Sequence, residues 1–313
     1  MKKNLVVEGS AYSLLLFFLV EQNIDNVIFL LNRAIPLKIC SNLEELYDKK
    51  NVYVVEKMNL KSDKSLKNKV KNIKEIVKFL IYIIKIFKGK KYLDKYYIKP
   101  GIFISYPFIW TSKNILEEGK NKPYYLDENW KNKLINNKKY IENIYLTKTS
   151  EKISNYKIRE IDLLELWKRK SAIEKNKILK IFNYEEKMIK ELKKKKTILL
   201  TQPLDKYGIE EKEKMKIYMK LLENINEEEI VIKSHPREES DYKKFFPNVM
   251  VIDGEIVIEI LYLLGVEFEN IITLFSSAAL NIKGKNLYYY GTEKFEILEQ
   301  KFGEIKGYIK INK

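Results

Sequence analysis

Glu229-Ile230-Val231-Ile232-Lys233-Ser234-His235-Pro236-Arg237 decides how this chain is read. Residues 229–233 make a short run with branched apolar side chains at its centre, Ile230-Val231-Ile232, the pattern of a strand buried on both faces in a parallel sheet. Two residues past the run stands the only histidine of the chain. Pro236 biases the residue before it toward extended backbone, so the imidazole is held at the carboxyl end of the strand. In open parallel sheets ligands sit at that edge. Lys233 and Arg237 flank the ring, so the loop offers one imidazole and two cations, a set suited to a phosphate. The plainer alternative is a loop histidine that caps a carbonyl.

Working outward, strands are expected at 197–201, 249–252, 271–275 and 286–290, with helices at 210–222, 256–264 and 278–282. Strands alternate with helices in the first half too: strands at 4–8, 26–31, 51–55, 101–104 and 114–116, helices at 11–22 and 42–47. Such alternation argues for parallel α/β sheets. The stretch 120–156 is polar and aromatic without clear period, and 160–194 is strongly helical. Two domains follow: an N-terminal α/β acceptor-side domain at 1–155, and a helical linker plus C-terminal α/β nucleotide-binding domain at 156–313. Two successive α/β domains joined by helices resemble the GT-B architecture, two Rossmann-like domains with a cleft between them.

Composition narrows the classes. A 45% hydrophobic fraction is enough for real cores, so the chain is not disordered although 33% of it is charged. Lys and Arg total 59 against 43 Asp and Glu, a net charge of +16, which fits a nucleic acid, an anionic membrane surface or an anionic substrate. An AT-rich genome would also enrich Lys, Asn and Ile. Cys40 is the only cysteine, which excludes an intramolecular disulfide and a thiolate zinc cluster and suits a reducing compartment. Glu8 breaks the apolar run that follows Met1-Lys2-Lys3, and no small-residue cleavage site follows Val20, so a signal peptide is not expected. No apolar run reaches the roughly 18 residues that span a bilayer. A long helix at 66–87, apolar at its centre and flanked by lysines, is either a buried helix whose lysines snorkel outward or a peripheral membrane patch.

Other candidate site residues sit where strands end. Ser276-Ser277 closes one strand and opens a helix, which brings two hydroxyls and free amides together, although an ordinary N-cap serine reads the same way. Glu259 could hold ribose hydroxyls, with Glu255 as competitor. In Glu117-Glu118-Gly119 the two carboxylates point opposite ways from a strand, so one can face a substrate as general base, and Gly119 permits a sharp exit. Asp205 is a second candidate base, or a group that orients the imidazole, or a turn former. There is no Asp-x-Asp, no Walker loop, no Gly-x-Gly-x-x-Gly and no zinc spacing, so phosphate chemistry is expected to use protein cations and amides.

Glu117-Glu118-Gly119, His235-Pro236 and Ser276-Ser277, in that order, resemble the motifs of bacterial sialyltransferases. Lys233-Ser234-His235-Pro236-Arg237 and the modest length are most similar to the lipooligosaccharide sialyltransferase family, related to the polysialyltransferases; the resemblance covers roughly residues 100 to 290. It implies an inverting, metal-independent transfer of sialic acid from CMP-sialic acid, the donor substrate, to a terminal sugar such as galactose on a cell-surface lipooligosaccharide or polysaccharide, with no cofactor. Glu118 would take the proton of the acceptor hydroxyl, with Glu117 and Asp205 as alternatives. His235, protonated, would donate to the departing phosphate. Ser276 and Ser277 would hold that phosphate's oxygens, Lys233, Pro236 and Arg237 would frame it, and Glu259 would hold the ribose. A cytoplasmic enzyme follows, without nucleic acid as partner; peripheral contact with the inner membrane and a homodimer stay open. Two other readings compete: the same fold acting on another nucleotide sugar, and a non-enzymatic basic module for nucleic acid or anionic surfaces.

Overall fold

The computed structural model describes residues 2–32, 34–55, 66–99, 102–108, 110–117, 138–147 and 157–311. The chain divides into two compact units, Met1–Asn183 and Tyr184–Lys313.

The first unit is built on a seven-stranded sheet of β1 (Lys3–Glu8), β2 (Val27–Asn32), β3 (Val52–Val55), β4 (Leu93–Ile98), β5 (Lys113–Leu116), β6 (Ile141–Leu146) and β7 (Ile158–Glu160). Their order is β3-β2-β1-β4-β5-β6-β7, and every pair is parallel. Residues on both faces of β1 are buried, as its unbroken apolar run requires. On one face, Phe79, Ile83 and Ile86 of α3 (Leu66–Lys88) pack against Leu5, Val7, Leu30 and Val55. In α1 (Ala11–Val20) every residue from Ser13 to Leu19 is buried, and Phe17, Phe18, Phe29 and Tyr47 interlock edge to face or tilted. Ser10 caps α1 by accepting from the Ser13 amide at 3.1 Å.

The helical stretch expected at 160–194 is three short helices, α4 (Leu163–Arg169), α5 (Ala172–Ile181) and α6 (Glu186–Leu192). A capping box between Ser171 and Glu174 restarts the chain as α5, and Asn183, at φ 61°, ends it in the left-handed region. The two compact units divide after Asn183, within this helical stretch. The helices α4 and α5 pack on α1 and on α2 (Leu37–Tyr47). Asn42 on α2 donates to the terminal carbonyls of α5, Lys180 O at 2.9 Å and Ile181 O at 3.2 Å.

The second unit repeats the plan. Its strands are β8 (Thr197–Leu200), β9 (Ile230–Lys233), β10 (Met250–Ile252), β11 (Glu267–Thr273), β12 (Lys283–Tyr289) and β13 (Tyr308–Ile311). They lie in the order β10-β9-β8-β11-β12-β13, parallel except for β13. The helices are α7 (Glu211–Leu221), α8 (Tyr242–Phe245), α9 (Glu259–Leu263) and α10 (Glu296–Phe302). In each sheet the chain runs outward over three strands and returns to the far side of the first. That doubly-wound order places a switch point beside β1 and another beside β8.

Several expected elements moved. A strand at 101–104 was expected; the strand is β4, earlier in the chain, and Phe103–Phe108 winds as a 3-10 helix containing Pro107. The helix expected at 278–282 is a five-residue 3-10 helix, Ser277–Asn281. Residues 120–137 and 148–156 of the polar, aromatic stretch at 120–156 lie outside the described residues.

Candidate active site

The strands β8, β9, β10 and β11 are parallel, so Thr201, Ser234-His235, Asp253-Gly254 and Leu274–Ser276 all leave the same sheet edge. The switch point lies between β8 and β11. There Thr273, fully buried, donates its hydroxyl to Leu200 O at 3.1 Å and accepts the Ser276 amide at 3.0 Å. Ser276 is thus tied to the carboxyl end of β8. The ends of β9 and β11 stand two strand spacings apart, about 10 Å, a span that a phosphate and two side chains would fill.

His235 is half-buried and its loop is held from three sides. Its amide donates to Glu238 Oε2 at 2.6 Å and to Thr201 Oγ1 at 3.1 Å. The Arg237 amide donates to His235 Nδ1 at 3.1 Å, which occupies that nitrogen as an acceptor and puts the ring's proton on Nε2. From below, Gly254 lies against the loop: a Cβ there would come within 2.7 Å of His235 O and 2.9 Å of Pro236 Cα. Burial, then Arg237 and Lys233, lower the pKa of His235 to about 4, against a smaller opposing pull from Asp205. The imidazolium expected from the sequence is therefore a neutral imidazole in the free protein at neutral pH, because two cations and desolvation disfavour a third charge.

Lys233 also takes a different part from the one expected. Its side chain is buried, and Nζ donates to Ser234 O at 2.8 Å and Gly254 O at 2.7 Å. It staples the β9 loop to the β10 loop, and burial lowers its pKa to about 8, with Asp253, Glu259 and Glu238 pulling the other way. Pro236 and Arg237 are exposed at the loop tip. Glu259 opens α9, half-buried. The loop before it is fixed by Tyr184, whose hydroxyl donates to Val257 O at 3.0 Å. Glu255 is exposed.

Asp205 neither touches nor orients the imidazole through a hydrogen bond. Its carboxylate pairs with Lys214 at 3.2 Å and Lys206 at 3.7 Å. Lys214 is fully buried on α7 and also meets Glu238 at 3.0 Å, Glu211 at 3.7 Å and the Ser240 hydroxyl. Glu238, whose side chain has no exposed surface, further accepts from Tyr242 at 2.9 Å and from the Thr201 hydroxyl. A buried cation and carboxylate thus brace the amide of His235. Losing one partner of such a pair costs about 3–5 kcal/mol. Thr201, Lys214, Glu238 and Gly254 were not among the residues expected from sequence; the faint signal for Glu238 is an acid three residues after His235, placed to fold back on its amide.

In the first unit, Glu117 follows β5 and is buried. Its carboxylate accepts from the Thr147 amide at 2.7 Å and hydroxyl at 2.6 Å, while its carbonyl accepts from Ser13 at 3.0 Å. Glu118 and Gly119, and the side chain of Ser277, lie outside the described residues.

Two doubly-wound sheets in tandem, the second with a rigid His-Pro loop at its carboxyl edge, define the class: a GT-B fold. Residues 38–293 match glycosyltransferase family 52, and the chain belongs to that family. The kinship with bacterial sialyltransferases expected from the motifs is borne out. A Haemophilus influenzae protein described as uncharacterized is 37% identical over 185 residues, which take in 56% of this chain and 60% of that protein. Among solved structures, the GT-B domain of a Photobacterium damselae sialyltransferase superposes with a TM-score of 0.56 at 11% identity, over 90% of this chain and 88% of that one. A 2,6-sialyltransferase from Photobacterium sp. JT-ISH-224, solved with CMP and lactose, gives 0.58 at 11% identity over 89% and 68%. The α/β-galactoside α-2,3-sialyltransferase of Photobacterium phosphoreum gives 0.51 at 12% identity over 97% and 96%. At such identities the likeness is one of fold.

Proposed function

We propose that this chain is an inverting sialyltransferase that moves sialic acid from CMP-sialic acid to a terminal galactose of a lipooligosaccharide or surface polysaccharide. The observation that carries the reading is the braced His235 loop beside the switch point, with Nδ1 occupied by the Arg237 amide and the Nε2 proton left to donate. The acceptor oxygen would attack the anomeric carbon while the bond to the CMP phosphate breaks and its electron pair leaves on the phosphate oxygen. His235 Nε2–H, Arg237 and the hydroxyls of Ser276 and Ser277 would stabilise that oxygen, and Glu259 would hold the ribose. Donors fixed before the charge develops are the most effective kind. A bound phosphate brings negative charge that opposes the field of Arg237 and Lys233, so it draws a proton toward the ring. The acceptor proton would go to Glu118. Glu117 is buried and bonded to Thr147, and Asp205 is engaged by Lys214, so both are poorer bases for that step.

The test is transfer from CMP-sialic acid to a labelled galactose-terminated acceptor, with the product linkage read by NMR. His235→Ala is expected to lower turnover by roughly 10²–10⁴-fold while CMP binding stays measurable by calorimetry. Near-normal turnover in that variant would rule out the proposed role. With protein donors holding the phosphate, turnover is expected to persist in EDTA; a strict need for a divalent ion would contradict the metal-free part.

A further inference from the structure

Gln202 leaves the carboxyl end of β8, the strand between β9 and β11. The register pairs Leu200 with Lys233 on one side and with Thr273 on the other. Two residues further on, Gln202 therefore stands level with His235 and with Phe275, the residue before Ser276. Thr201 keeps this alignment past the strand ends: its amide donates to Lys233 O at 3.2 Å and its hydroxyl accepts the His235 amide at 3.1 Å. Neighbouring strands are about 4.8 Å apart, so Gln202 lies midway between the imidazole loop and Ser276. Its backbone is fixed. The buried Tyr218 hydroxyl accepts the Gln202 amide at 2.7 Å and donates to Gln202 O at 3.3 Å. The Leu204 amide donates to the same carbonyl at 2.8 Å across Pro203, whose φ of −77° and ψ of 60° make an inverse γ-turn. None of this uses the side chain: among the described residues the half-buried carboxamide of Gln202 makes no hydrogen bond. It offers two N–H donors and one carbonyl acceptor. Such a side chain, on a held backbone at the ligand edge of the sheet, is placed to bind substrate.

We infer that the Gln202 carboxamide donates to the carboxylate on the anomeric carbon of the donor sugar, and so selects a sialic acid over a neutral sugar. This role rests on the proposed sialyl transfer and names the residue that recognises the sugar. In CMP-sialic acid the carbon that carries the carboxylate is bonded to a phosphate oxygen, so the carboxylate lies beside the phosphate. With the phosphate between His235 and Ser276, the strand end beneath that group is the end of β8. The phosphate has its own donors in the ring, Arg237 and the serine hydroxyls. The carboxylate is better served by a neutral one. As the bond to phosphate stretches, positive charge builds on the anomeric carbon, as in glycoside hydrolysis. The adjacent carboxylate offsets that charge so long as no cation cancels it. An amide orients the carboxylate and leaves its charge in place. A neutral sugar brings no anion to the amide, and the half-buried donors are then left unpaired.

The experiment is calorimetry of the full chain with CMP and with a CMP-sialic acid fluorinated beside the anomeric carbon, where the fluorine slows loss of the phosphate and keeps the donor intact. The parent chain is expected to bind both. Gln202→Ala should hold CMP within about twofold of the parent and weaken the fluorinated donor about ten- to a hundredfold, the range for a hydrogen bond to a charged group. Gln202→Met, which keeps the side chain's length and removes its donors, should do the same; a loss in the alanine variant alone would be a packing effect and would overturn the inference. Both variants keep the backbone bonds to Tyr218, so circular dichroism and the unfolding midpoint should match the parent protein. Equal weakening of CMP and of the fluorinated donor would give the amide to the phosphate, and no weakening of either would leave it to solvent. Each of these overturns the inference while sialyl transfer stands. A parent chain that binds CMP but not the fluorinated donor overturns sialyl transfer itself, and the role of Gln202 with it.

Discussion

At the scale of single residues, the chain offers an unusually clean titration, because His235 is its only histidine. Burial and the flanking cations take its pKa from 6.5 down to about 4. Between those values the unfolded chain binds a proton that the folded chain refuses. This group's contribution to stability is therefore complete above about pH 6.5 and is lost as pH falls toward about 4. The imidazole resonances should show a midpoint near 4 in the free protein, moving upward when CMP binds and its phosphate offsets the cations; a free ring that titrates near 6.5 would refute this. Sequence gave away the imidazole and its proline, since a lone histidine at the end of an apolar run is conspicuous. It hid the supports. Lys214 sits in Glu211-Lys212-Glu213-Lys214, which looks like a solvated helix face, and only the packing of α7 against the sheet buries it. Lys233 looked like a ligand-facing cation for the converse reason: charge is visible in sequence, but the direction of a side chain is not.

At the scale of elements, the loops after β9 and β10 work as one piece, and Gly254 is where they touch. A Cβ at that position would meet His235 O at 2.7 Å, His235 C at 2.8 Å and Pro236 Cα at 2.9 Å, all backbone atoms that cannot swing aside as a side chain would. Gly254→Ala must therefore push the His-Pro loop off its seat. The expected outcome is a protein that still folds, as judged by circular dichroism, with turnover reduced by at least about tenfold, since small misplacements of reacting groups carry large rate penalties. Parent-like kinetics would show that the loop position does not matter. The contact of Gly254 with His235 belongs to the tertiary fold and has no local signature in the sequence. The core strands were legible for a simple reason: those buried on both faces are unbroken apolar runs. The strand β4, Leu-Asp-Lys-Tyr-Tyr-Ile, carries charge on its exposed positions and escaped notice. The three-way break of the 160–194 helix was written in Ser171-x-x-Glu174, but helical propensity on both sides concealed it.

At the scale of the whole molecule, two units share one strand order with no sequence repeat between them, because the right-handed crossover rule and the burial of both sheet faces constrain topology more tightly than side chains. The +16 charge is the other global property, and two of its uses, binding nucleic acid and binding a single anionic substrate, differ sharply in their salt dependence. A chain that neutralises several phosphates of a duplex loses affinity steeply with salt, by about 10³–10⁵ between 50 and 200 mM for six to ten contacts. A site that holds one mononucleotide through a rigid loop makes far fewer charge contacts and loses little over the same range. Calorimetry should find CMP bound, UDP and GDP bound more weakly, and only a shallow salt dependence. UDP or GDP binding tighter than CMP would move the donor to another nucleotide sugar while leaving the fold and the His235 loop in place. Steep, salt-sensitive duplex binding with no heat from CMP would instead give the charge to nucleic acid, and the loop would be left without the phosphate its geometry suits.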